Sequence, residues 1–232
     1  MSYDLNVSHQ PPPGARWTIF QTWALALLPS ETNYSQIASD PGASLGRAYV
    51  WLLIASLIGG VISTLISSGV ELVIGPSTNP LLQSLGQGTV TQQTLLVGIL
   101  CGVPIQAVLA LIGVTIGAGL SHGLASALGG HGSFTQLVYA ISAYAVPLIL
   151  IDGLIASLPC IGLLVIVVVI YALVLNIVAT KAVYQFGWGQ AVMSSIIVPI
   201  GALVLVACVV ILALVLLGPA IGNVFSDIVT TI

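Results

Sequence analysis

The chain has 232 residues, 58% of them hydrophobic and only 4% charged, with a net charge of −3 and a mean hydropathy of +1.17. A soluble domain carries roughly 25% charged residues, so this chain lacks the polar surface to stay in water and the bilayer is its expected solvent. Its basic residues are Arg16, Arg47 and Lys181, too few and too scattered to neutralise phosphates, which excludes nucleic acid as a partner.

In lipid only helices or closed barrels satisfy the backbone. The apolar runs lack strand alternation and exceed the roughly 9–11 residues of a membrane strand. The expected fold is therefore all-α: a polytopic membrane bundle of five transmembrane helices with an N-terminal interfacial amphipathic helix.

Residues 1–14, with Pro11-Pro12-Pro13-Gly14, read as an extended tail. They are long, include Asp4 and lack a basic cluster, so no signal peptide is expected. Residues 15–46 form an interfacial segment. From Ala15 to Leu28, Trp17, Phe20, Ala24, Leu27 and Leu28 recur at helical spacing, with Thr18, Gln21 and Thr22 on other faces. The segment is too short to span. It suits the headgroup region, with Trp17, Phe20 and Trp23 as membrane-interface residues, or a lid packed on the bundle. Pro29-Ser30-Glu31 stops it, and Ser30 is placed to cap a further short turn.

A membrane domain is expected over about 47–217, with spans at about 47–70, 94–120, 136–158, 161–183 and 193–217. The first is bounded by Arg47 and Glu71, and a polar outer loop of about 71–93 follows. In the second, Gly98, Gly102, Gly113 and Gly117 form two GxxxG pairs. Gly102 and Gly113 are about three turns apart and share a face that allows close helix approach. That face serves as a dimer seam or as packing within the chain. Pro104 is expected to kink this helix and free the carbonyl of Leu100. An inner loop of 121–135 carries His122, with His131 nine residues on; without a nearby Cys or carboxylate these read as solvated histidines rather than metal ligands. Pro147 lies within the third span, Pro159-Cys160-Ile161-Gly162 makes a tight turn that sets the fourth antiparallel beside it, and Pro199 kinks the fifth. Residues 218–232 form a short outer tail. With five spans and the N-terminus inside, all three basic residues lie on the cytoplasmic side and the C-terminus lies outside. Cys101, Cys160 and Cys208 are isolated and expected as small buried residues.

Four polar residues are expected at depth: Gln106, Asp152, Tyr171 and Asn176. Axial arithmetic brings the Tyr171 phenol within reach of Asp152, and Asn176 within reach of the Ser195 carbonyl that Pro199 frees. No metal or cofactor site is expected. Intramembrane proteolysis would need a Ser–His pair, two acids or a zinc motif, and the spans hold one Asp and no HExxH, so no enzymatic activity is expected.

Together these features resemble the Yip1-domain family of small multispan membrane proteins, in its prokaryotic-type, short-tailed form. The resemblance rests on the Pro29-Ser30-Glu31 segment running on to Tyr34 and on a basic residue opening the first span. It rests further on the Gly-rich loop leading to Ser133-Phe134-Thr135-Gln136-Leu137 and Tyr139, and on Ala143-Tyr144-Ala145-Val146-Pro147. Pro159, Gly162, Tyr171 and Lys181 follow in order. It implies five helical spans with a cytoplasmic N-terminus. Eukaryotic members act in vesicle traffic and associate with prenylated Rab-type GTPases, but their acidic Asp-Leu-Tyr-Gly-Pro segment has no counterpart here, which argues against GTPase binding. The expected function is a non-enzymatic integral membrane protein that binds other membrane proteins or itself, as an accessory or scaffold subunit, or organises the bilayer. The alternative is a small-solute or ion transporter using the buried polar residues.

Overall fold

The computed structural model describes residues 18–74, 92–155 and 162–197, and, of the helix that follows, positions 200, 201, 204, 207, 208, 211, 212, 215 and 218. All of its regular elements among these residues are helical. Two short helices come first, α1 (Ile19–Ala26) and α2 (Glu31–Ala38). The long α3 (Leu45–Ile74) follows, then α4 (Gln92–Val97), which runs through a π-helical turn at Gly98–Gly102 into α5 (Val103–Ala127). Next come α6 (Phe134–Ile155), α7 (Gly162–Tyr184) and α8, helical over 188–197 and at the described positions beyond.

Among the described residues four helices are long and apolar enough to cross a membrane: Leu45–Val70, Leu95–Ala127, Phe134–Ile155 and Leu164–Tyr184. They coincide with the first four expected spans. The fifth expected span begins within α8, which starts before Met193; Pro199 and most of the residues after it lie outside the described set, as do Arg16, Trp17, the 75–91 loop and the Pro159–Cys160 turn.

Helix starts follow from local chemistry. Thr18 and Gln21 form a reciprocal capping box, with Gln21 N donating to Thr18 Oγ1 (3.4 Å) and Thr18 N to Gln21 Oε1 (3.1 Å). Ser133 and Gln136 repeat it at α6 (3.1 and 3.2 Å). Ser44 accepts from Arg47 N at the start of α3. Ser30 does precede α2 in extended conformation, but its side chain makes no capping bond.

Two boundaries and one expected kink differ from expectation. α3 continues beyond Glu71 to Ile74. α5 runs to Ala127, so Ser121 and His122 are helical, and the loop shrinks to the turn around Gly129, whose φ of 88° suits glycine. The disturbance expected at Pro104 is absorbed by the π turn directly before it, because a proline lacks the N–H that would continue the ladder and a wider turn accommodates its ring.

α6 is the central helix. Half of its apolar window is buried (50%), against 11% for Leu95–Ala127, and it packs against α3 most extensively, then against α7, and less against α5, which packs mainly on α3. The α3–α6 crossing is set by glycine: a Cβ on Gly153 would lie 2.7 Å from the Gly59 carbonyl oxygen, and one on Gly59 would lie 3.1 Å from the Ile149 carbonyl oxygen, while Gly60 lets α5 approach, with Val103 Cγ1 2.9 Å from an added Cβ.

The expected packing glycines do not play this part. Among the described residues Gly102, Gly113 and Gly117 have nothing within 4 Å of an added Cβ, and Gly98 only Thr64 Cγ2 at 3.8 Å. α5 instead meets α3 through Val103 and Ala107 and through a Thr115–Tyr49 hydroxyl bond of 3.1 Å, leaving its glycine face turned outward. Cys101 and Cys208 are likewise exposed rather than buried, because they sit on outward-facing helix surfaces.

Candidate functional site

Two polar constellations stand out, one at each end of the described bundle. The first is a clasp that fastens α1 and α2 to the helices beneath them. The last carbonyls of a helix have no partner within it, and those of α1 are taken by side chains from elsewhere. Asn33 Nδ2 donates to Leu25 O (3.3 Å), Tyr34 Oη to Ala26 O (2.5 Å), and Tyr171 Oη to Leu27 O. Tyr34 is fully buried, and burial pushes its phenol well above the ordinary tyrosine value, with the neighbouring Tyr144 and Tyr171 adding to the effect.

Asp40 closes the other side of the clasp. It is 6% exposed, accepts from Tyr139 Oη at 2.9 Å and from Gly42 N at 2.8 Å in an Asx turn, and lies 3.6 Å from Arg47 Nη1. A buried carboxylate is tolerable only with such partners. The Arg47 guanidinium lies 4.6 Å from the Trp51 ring, which in turn lies 5.3 Å from Tyr139 and 6.0 Å from Trp23. Lys181, buried at the end of α7, pairs with Glu31 in the first turn of α2 and sits 4.6 Å over Trp188. Below it, His122 Nδ1 and Tyr184 Oη are 2.5 Å apart, so His122 is a half-buried helix residue and not a solvated loop histidine; His131 is exposed.

Of the expected interface residues, Phe20 is 77% exposed, together with Ala24 and Leu28 on the same outer face of α1. Trp23 is half-buried against Trp51, its indole N–H without a hydrogen-bond partner among the described residues. Trp17 lies outside the described residues.

The second constellation is a cavity of about 180 Å³ between α3, α5 and α6. Ser56 and Ser63 line it from α3, Gln106 from α5 and Asp152 from α6, around the Gly59–Gly153 crossing. The sequence arithmetic pairs Asp152 with Tyr171. The structure corrects this. Gln106 is an exposed residue that shares this cavity with Asp152, while Tyr171 turns to α1. Asn176 Oδ1 accepts from Tyr144 Oη (3.3 Å), and among the described residues its amide does not donate to the Ser195 carbonyl; the α7–α8 contact is made instead by Ser195 Oγ donating to Thr180 Oγ1 (3.3 Å). Axial spacing alone does not decide which helix a side chain meets; azimuth does.

The sequence reading missed the clasp residues Asp40, Tyr34 and Tyr139. The Asp40-Pro41-Gly42 turn was a usable signal for Asp40. The two tyrosines carry no local signature of their bonds, because the partner of Tyr139 lies 99 residues away in the turn after α2 and that of Tyr34 lies 8 residues away at the end of α1.

Among the described residues no group of three or more His, Cys, Asp or Glu is arranged to hold a metal. The family model described as Yip1 domain matches residues 23–211. No curated protein and no solved structure matches the chain.

Proposed function

From a chain that belongs to the Yip1 domain family, we propose a non-enzymatic multi-pass membrane protein that binds other membrane proteins or a second copy of itself through the outward face of α5. The observation that carries this reading is the open glycine face. Glycine in a helix interior costs about 0.5–1 kcal/mol relative to alanine, and Gly102, Gly113 and Gly117 recover nothing from packing among the described residues. Small residues on a bilayer-facing helix let another helix approach closely. Around them Ile105, Leu109, Ile112 and Ile116 are exposed, a surface suited to an apolar transmembrane helix.

In this reading Arg47 and Lys181, which lie with α1 and α2 at one end of the bundle, mark the cytoplasmic side by the retention of positive charge. The outer face of α1, with Phe20 and Leu28, then rests in the headgroup region as an interfacial amphipathic helix. Five spans put the C-terminus outside. Transport is the weaker reading: Gln106 and Asp152 share a cavity, but Asn176 is bonded to Tyr144 between α6 and α7, so the three do not line one path.

The test is the double substitution Gly102→Ile/Gly113→Ile, followed by cross-linking in native membranes and mild-detergent purification with identification of co-purifying proteins. Loss of a partner or oligomer at unchanged melting temperature supports the reading. An unchanged assembly, or loss of the fold itself, overturns it.

A further inference from the structure

Asp152 lies 13 residues beyond Tyr139 on α6, about 20 Å along the helix axis at 1.5 Å per residue. Tyr139 is level with Arg47, whose guanidinium is 5.8 Å from its ring. The basic groups Arg47 and Lys181 are therefore at the other end of the bundle. Asp152 has no hydrogen-bond or ion-pair partner among the described residues, and neither has Gln106. An ionised carboxylate at this depth without a counter-charge is costly. Two occupants remove that cost, a proton or a cation.

The surroundings discriminate between them. A proton on Asp152 needs one acceptor and no space. The cavity offers about 180 Å³, well beyond what one water requires, and three further side-chain oxygens, from Gln106, Ser56 and Ser63, on two other helices. Carboxylate, amide and hydroxyl oxygens are the ligand set of hard cations, and the absence of sulfur and imidazole from the lining disfavours transition metals. Charge fixes the valence: one carboxylate neutralises a single positive charge, whereas a divalent ion leaves an uncompensated charge within the bilayer. Among the described residues no other titratable residue lines the cavity.

We propose that the cavity between α3, α5 and α6 is a binding site for a monovalent alkali cation, ligated by the Asp152 carboxylate with the Gln106 amide oxygen and the Ser56 and Ser63 hydroxyls. The site joins three helices, so its occupation strengthens the α3–α6 crossing. It is independent of the α5 outer face and stands whether or not that face binds a partner.

The experiment uses the purified full chain in mild detergent, with equilibrium binding of radiolabelled sodium and thermal melting in sodium, potassium or choline chloride at equal ionic strength. The expected result is saturable Na⁺ or K⁺ binding and a melting temperature raised over choline, both lost in Asp152→Asn while that variant melts in choline as the wild type does. If Asp152→Asn does not fold, Gln106→Leu replaces it and is expected to raise the cation concentration needed for half-saturation. The proposal is overturned if neither cation binds the wild type above choline, if the variant that folds binds as the wild type does, if Ca²⁺ outcompetes Na⁺ at equal concentration, or if melting responds to pH alone, which assigns the site to a proton.

Discussion

Alanine at Gly153 tests the geometry of the bundle most directly. Its Cβ would meet the Gly59 carbonyl oxygen at 2.7 Å and Gly59 Cα at 3.1 Å, against carbon contacts that are favourable at about 3.5–4.0 Å. Both near atoms are backbone, so no side-chain rotation relieves the clash; α3 and α6 must part by roughly half an ångström or more along their most extensive contact. Overpacking of this kind costs about 1–3 kcal/mol, which for a chain of this size lowers Tm by about 2–12 °C. Gly113→Ala is the matched control. It lies in α5 with nothing within 4 Å, so the variant gains about 0.5–1 kcal/mol of helix preference and melts at or above the wild-type temperature. Melting in mild detergent, followed by tryptophan fluorescence, reads both. If Gly153→Ala melts with the wild type, or if Gly113→Ala falls as far as it does, the assigned crossing is wrong.

Three further predictions concern the clasp. Tyr139→Phe removes one of the bonds to the buried Asp40 carboxylate and is expected to cost about 1–3 kcal/mol, seen as a lower Tm; an unchanged melt refutes Asp40 as a buried anchor. Lys181→Met keeps the bulk and removes the charge that holds Glu31. Because Glu31 is about half exposed (51%), the global loss is at most about 1 kcal/mol, and the sensitive measurement is faster amide exchange in α2 than in α3. For pH, burial holds the Tyr34 phenol neutral in the folded protein while the unfolded chain ionises at about 10. Its contribution to stability is therefore complete below about pH 10 and declines as pH rises past that value. Tyr34→Phe is expected to melt lower at neutral pH, through loss of the bond to Ala26 O, and to show a shallower alkaline decline.

The spans were legible because each is a long apolar run, and composition alone demands that such runs be helical in lipid. Their ends were legible within a few residues, and the missed extension of α5 through Ser121 and His122 reflects small polar residues that a helix tolerates where Tyr184 supplies a hydroxyl partner. What a span faces was not legible. Asp152 and Tyr171 were matched by depth, yet they point to different helices, and the GxxxG pairs of α5 drew attention away from Gly59 and Gly153, where backbones meet. A run that is apolar all round carries little azimuthal information, so the useful signals are the exceptions: an adjacent glycine pair, a lone acid, a tyrosine late in a span.

The clasp also has a timetable. Its bonds join residues far apart in synthesis: Tyr139 to Asp40 spans 99 residues, Tyr171 to Leu27 spans 144, and Lys181 to Glu31 spans 150. At about 5–20 residues per second, the ribosome needs roughly 7–30 s after making Leu27 before Tyr171 exists to receive its carbonyl. Through that interval α1 and α2 are complete but lack α7, with the carbonyl of Leu27 and the carboxylate of Glu31 still facing water or headgroups. The N-terminal hairpin is thus made well before the helix that completes its clasp, and a nascent protein stalled before α7 presents it only partly held to whatever surveys unfinished membrane proteins.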